Sequence, residues 1–171
     1  MEFENLVYSR IGMTLVSAQR VEFITRELVD HLIEFDKSLY GITTDKFLNN
    51  STTSKKLRKQ TLGRIFTLLK LNPKLVLEDE LNQYLEKRNL LIHGFWKNYL
   101  NTKSEGQVKA AIEFCNNFGK SSDCLERFFK GFLFFLTLRH VQDRYRVPPE
   151  MKKWTKEFDY FMQAIHQKRF I

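Results

Sequence analysis

Apolar side chains return at intervals of three and four along most of this chain, and that spacing commits it to helices. From Ile11 to Leu39, the positions Ile11, Leu15, Ala18, Val21, Ile24, Leu28, Leu32, Phe35 and Leu39 form one stripe, as a helix of about 3.6 residues per turn requires. No segment alternates apolar and polar residues with a period of two. Three prolines and seven glycines among 171 residues supply too few turns for an all-β fold. The expected fold is therefore all-α.

Four further segments follow the first helix. Gly41 ends it, and Ile42 to Ser54 has the polar composition of a loop. A short helix is expected over Lys55 to Lys70, with Leu62, Ile65, Phe66 and Leu69 inward, punctuated by Asn72-Pro73. A third runs from Leu77 to Tyr99 and buries Leu81, Tyr84, Leu85, Leu91, Ile92 and Phe95, with Glu78, Asp79 and Glu80 at the positive end of its dipole. Ser104 and Gln107 fit a capping box for a fourth, which extends to Arg146. Its apolar side is Val108, Ile112, Cys115, Phe118, Leu125, Phe129, Phe132 and Leu136, and Gly119 in Asn116 to Ser122 is a candidate break. Pro149 suits the first turn of a last helix lined by Trp154, Phe158, Phe161 and Ile165. No repeat or long linker divides the chain, so residues 1–171 are expected to form a single domain, a compact antiparallel bundle of four to five helices.

Composition narrows the function. The apolar share is 43% and the charged share 28%, which is globular rather than disordered. Met1 to Asn5 has no basic n-region before an apolar run. The most apolar run, Phe128 to Leu138, carries Lys130 and is only about half the roughly twenty residues a spanning helix needs. A cytoplasmic protein without a membrane segment is expected. Cys115 and Cys124 lie nine positions apart in one helical segment, about 13 Å along its axis, too far for a disulfide. Both are expected to be buried reduced thiols. The net charge is +8, and its distribution says more than its size. Between Lys46 and Leu77 the basic residues Lys46, Lys55, Lys56, Arg58, Lys59, Arg64, Lys70 and Lys74 meet no acidic one. Such a stretch suits a polyanion such as RNA, because each neutralised phosphate releases counterions; a solvated basic loop is the alternative. Lys55, Lys56, Arg58, Lys59 and Arg64 are the candidate RNA-binding residues.

The most specific pattern is Tyr84-Leu85-Glu86-Lys87-Arg88-Asn89-Leu90-Leu91-Ile92-His93-Gly94-Phe95-Trp96. An arginine, a polar residue directly after it, three apolar residues and a histidine fall toward the end of a helix. This resembles the HEPN superfamily, whose signature is Arg, four to six residues, then His, with Asn, Asp or His often following the Arg. The order of a long first helix, a polar loop, a short helix and then the motif helix also looks HEPN-like through about Tyr99. Arg26 and His31 share the spacing, but Asn follows only Arg88.

The resemblance implies a metal-independent endoribonuclease, with no cofactor, that works as a homodimer, of the kind found as the toxin in toxin–antitoxin or phage-defence pairs. An antitoxin protein is then a further expected partner. The candidate catalytic residues are Arg88, His93 and Asn89. Imidazole titrates near neutral pH and can take the proton of a ribose 2′-hydroxyl. Guanidinium binds phosphate oxygens as a fork. On an ideal α-helix positions 88 and 93 stand about 140° apart, whereas Asn89 and His93 share a face. Some HEPN toxins carry a tyrosine two residues after the histidine that a partner modifies; here Phe95 stands there, and Tyr99 is the nearest tyrosine.

Plainer roles compete with each of these. Arg88 is equally suited to a surface pair with Asp79 or Glu86, and His93 to a half-buried place near a helix end. Trp96 and Tyr99 can stack on bases, but both are expected in the core. Glu27, His31 and Glu34 lie on one helical side without a further ligand cluster, and His140 with Asp143 is expected to pair structurally. Two further readings remain open beside the nuclease: a non-catalytic helical module that holds RNA or protein through its basic stretch, and a structural interaction protein built on its phenylalanines.

Overall fold

The computed structural model describes residues 2–35, 78–102, 104–140 and 147–167, and among these no residue is in a strand. Helix α1 spans Glu2–Phe35, α2 Glu78–Asn89, α3 Glu105–His140 and α4 Thr155–Gln167. A 3₁₀ turn, Met151–Trp154, leads into α4. The expected all-α bundle is what forms. Thr14 of α1 meets Cys115 of α3, and Arg20 meets Asp123, so these two helices lie side by side in the same direction. Tyr84 meets Phe118 while Phe95 meets Phe114, and Phe158 meets Phe134 while Phe161 meets Phe128; α2 and α4 therefore run against α3. In chain order the four described α-helices alternate in direction. The expected loop over 42–54, the helix over 55–70 and the whole basic stretch lie outside the described residues.

Helix α1 begins at Glu2 rather than near Ile11, and its buried line corrects the expected stripe. Val7, Thr14, Ala18, Val21, Ile24, Thr25 and Leu28 face the core, while Leu15 is 38% exposed. A threonine takes the inward place because the helix itself satisfies its hydroxyl: Thr14 Oγ1 donates to the Arg10 carbonyl at 2.6 Å. Thr25 does the same to Val21, Ser122 to Phe118 and Thr137 to Leu133. Buried hydroxyls bonded back to the i−4 carbonyl carry little of the penalty for an unpaired polar group. A pattern written in apolar letters alone does not see them.

The Asn116 to Ser122 segment does not break α3, which is continuous through Gly119. Its start follows half of the expected box. The Ser104 hydroxyl accepts from the Gln107 amide at 3.3 Å, but the Gln107 side chain accepts from the amide and hydroxyl of Thr102, at 2.9 and 2.8 Å, instead of reaching back to residue 104. Cys115 is buried and Cys124 only half-buried; both are free thiols.

Phenylalanines join α3 to α4. The Phe161 ring stacks on Phe132 at 5.1 Å and meets Phe128 at 5.0 Å and Phe135 at 5.7 Å. Ile165, expected beside it, is 39% exposed, and Ala164 faces inward instead. Gly131 sits where α4 crosses, against the backbone carbonyl of Glu157 and the Cβ of Phe161.

Tyr84 anchors α2. Its ring stacks on Phe118 at 4.8 Å and its hydroxyl meets that of Ser122 at 3.2 Å. Burial above all pushes the phenol up to about 12 from the ordinary 10.0. A phenol that ionises later in the folded chain than in the unfolded one leaves stability unchanged below pH 10 and costs stability as pH rises from 10 toward 12. Two pKa units correspond to about 2–3 kcal/mol. Urea midpoints measured between pH 9 and pH 12 should fall, and fall less steeply in Tyr84→Phe; equal slopes would mean that Tyr84 ionises as freely as an exposed phenol.

Candidate active site

The motif lies where α2 changes its winding. Arg88 and Asn89 close the α-helical part; Leu90–Gly94 and Trp96–Leu100 are π-helical, joined through Phe95. Leu91 and Phe95 are buried and Tyr99 partly so, an even spacing of four carried through these i→i+5 turns. Phe95 lies 5.6 Å from Phe114, and Tyr99 5.3 Å. Asn98 Nδ2 donates to the Gly94 carbonyl at 2.7 Å, occupying an acceptor in the widened turn.

This winding changes which side chains share a face. A turn with i→i+5 bonds holds more residues than an α turn, so Arg88 and His93 stand closer in angle than the 140° or so of an unbroken α-helix. His93 is exposed, and among the described residues nothing hydrogen-bonds its ring. Asn89 is exposed as well. Ile92, expected in the core, is 44% exposed, and Trp96, also expected there, is 66% exposed. Tyr99 does pack as expected, 5.0 Å from Phe95.

Arg88 reaches across to α1. Its Nη2 donates to Glu22 Oε1 at 2.9 Å, with the two side chains 27% and 24% exposed. Asp79 and Glu86, the expected partners, do not hold it. Its Nη1 donates weakly to Asn89 Oδ1 at 3.4 Å, and its Nε is buried without an acceptor. Tyr84 lies close enough for the Glu22 carboxylate to oppose, and the Arg88 guanidinium to favour, ionisation of its phenol. The guanidinium is thus held on one side by a carboxylate. Glu22 is the residue sequence reasoning missed. It sits 66 positions from Arg88, and no local pattern links them; the one available cue is that a half-buried arginine requires a counter-charge.

The structure therefore places Arg88 between Glu22 and Asn89, with His93 exposed in the π-helical turn that follows. Lys55, Lys56, Arg58, Lys59 and Arg64 lie outside the described residues. The remaining decoys gain nothing: Glu27 is exposed, and among the described residues no three His, Cys, Asp or Glu side chains converge as metal ligands. Asp143 and the side chains of Glu34 and His140 are likewise outside the described set. No described helix is long and apolar enough to cross a membrane.

No family model, curated protein or solved structure matches the chain.

Proposed function

We propose that this chain is a metal-independent endoribonuclease of HEPN type, acting as a homodimer and serving as the toxin of a toxin–antitoxin or phage-defence pair. The observation that carries this reading is the exposed imidazole of His93 set one wide turn from the Glu22-held guanidinium of Arg88. His93 takes the proton of a ribose 2′-hydroxyl, and the 2′-oxygen attacks the adjacent phosphorus. As that bond forms, the bond from phosphorus to the 5′-oxygen breaks, leaving a 2′,3′-cyclic phosphate and a 5′-hydroxyl. Arg88 binds the phosphate oxygens and stabilises the charge that builds on them. Asn89 orients the imidazole or a phosphate oxygen. In a homodimer the second copy's motif supplies the acid that protonates the leaving 5′-oxygen.

The test is incubation of purified protein with total RNA in EDTA, with the ends of the fragments identified. The wild type should yield cyclic-phosphate ends, and His93→Ala and Arg88→Ala should each lower the rate at least about a hundredfold. Equal cleavage by all three proteins, or none by any, rules the reading out. A second reading rests on the one-signed stretch from Lys46 to Leu77: a non-catalytic module holding RNA by charge. Salt-sensitive binding that survives both substitutions, without cleavage, would favour it.

A further inference from the structure

We propose that the groove between α1 and α3 at Arg10 and Lys120 binds a small phosphate monoester, at a site apart from the motif and independent of the nuclease reading. The groove encloses about 300 Å³, near the lower end of the range for small-molecule sites. Arg10 and Ser17 line it from α1, and Asn116, Gly119 and Lys120 from α3. On α1, residues 10 and 22 stand about 18 Å apart along the axis and about a third of a turn around it, so the groove is separate from the pairing of Glu22 with Arg88. Gly119 keeps it open: a Cβ added there would meet nothing within 4 Å.

Unmatched charge selects the occupant. Elsewhere on these two helices cations meet carboxylates: Arg20 holds Asp123 at 2.5 Å and Glu126 at 2.8 Å, and Lys130 holds Glu126 at 2.6 Å. Asp123, which also lines the groove, is thereby neutralised. Among the described residues no carboxylate pairs with Arg10 or Lys120. Arg10 is half-buried, and a guanidinium partly withdrawn from water gains from a counter-charge. A second effect shows which way it reaches. Burial pushes the Cys115 thiol up, while the Thr14 hydroxyl and then the Arg10 guanidinium act against that rise. The guanidinium therefore lies within electrostatic reach of Cys115, which lines the same groove. Two unmatched cations suit a phosphate monoester, which carries close to two negative charges at neutral pH, better than a carboxylate, which carries one. The arginine fork takes two phosphate oxygens and the lysine a third. The Ser17 hydroxyl and the Asn116 amide favour a hydroxylated body, such as a sugar, over an apolar one.

The probe is ribose 5-phosphate, titrated calorimetrically into the full chain at fixed ionic strength, with ribose and inorganic phosphate as controls. The ester should bind and raise the thermal midpoint; ribose should do neither, and inorganic phosphate should bind more weakly. Arg10→Gln and Lys120→Gln should each weaken ester binding about ten- to a hundredfold. Gly119→Leu should fill the groove and abolish binding, while its midpoint without ligand stays at or above that of the wild type, because leucine is the better helix former. That combination separates a blocked site from a damaged fold. No binding of the ester overturns the proposal, as does affinity unchanged in Arg10→Gln or surviving Gly119→Leu. Inorganic phosphate that binds as tightly as the ester also overturns it, since the sugar then contributes nothing. A 5′-phosphorylated oligoribonucleotide that binds more tightly than the ester, and loses the gain in Gly119→Leu, would make the occupant a chain end and overturn the small ester. Cleavage of RNA is read separately through Arg88 and His93, so either idea can fail without the other.

Discussion

Arg88→Lys is expected to cleave RNA at least about a hundredfold more slowly than the wild type, although it keeps the positive charge. The reason lies in how the guanidinium is held. One terminal nitrogen, Nη2, is committed to Glu22 at 2.9 Å, and the other makes only a 3.4 Å contact with Asn89. A planar fork can be anchored at one prong and still present the other to a phosphate oxygen. An ammonium group is a single point of charge, and Glu22 would claim it. The variant then loses a donor aimed at the transition state, a loss of the order of a hundred- to a thousandfold. It also avoids the weakness of Arg88→Ala, which leaves the half-buried Glu22 carboxylate without its counter-charge and so confounds activity with stability. Initial rates on a labelled RNA, beside thermal melting of both proteins, make the measurement. Lysine activity within a few-fold of wild type would show that only charge matters at this position.

Gly131→Ala is expected to destabilise the protein by about 2 kcal/mol or more, and Gly119→Ala, in the same helix, to stabilise it by about 0.5–1 kcal/mol. In both, alanine improves helix propensity by up to about 1 kcal/mol. The surroundings decide the sign. A Cβ at position 131 would stand 2.6 Å from the Phe161 Cβ and against the Glu157 carbonyl, where carbon contacts need about 3.5–4.0 Å. Those atoms are α4 backbone and the root of a core side chain, so they cannot swing aside as a side-chain tip can. Helix α4 must move off, loosening the contacts of Phe161 with Phe128, Phe132 and Phe135. At Gly119 nothing lies within 4 Å. Urea denaturation of the two variants should shift in opposite directions; a shared direction would refute the close crossing.

The fold class was legible because helical period is written directly in the spacing of Ala18, Val21, Ile24 and Leu28, all buried in α1. The misread places have physical causes. Leu15 yields to Thr14 because a hydroxyl bonded to its own helix behaves as a core group. Gly119 leaves α3 intact because one glycine costs a long helix only about 1 kcal/mol, against packing along its whole length. Ile92 and Trp96 face outward in a stretch whose turns are wider than the 3.6-residue period that placed them inside. At the candidate site, Arg88, Asn89 and His93 were legible as a local word. Glu22 was not, since its meeting with Arg88 exists only after α1 and α2 dock.

The wide turn also loosens the tie between counting and placement. In a uniform coil, adding or removing one residue between two functional groups swings everything downstream by about 100°. Here the turns after Asn89 are wider, so each step swings the chain through a smaller angle, and the mutual attitude of guanidinium and imidazole is set by the local winding as well as by the number of letters between Arg88 and His93.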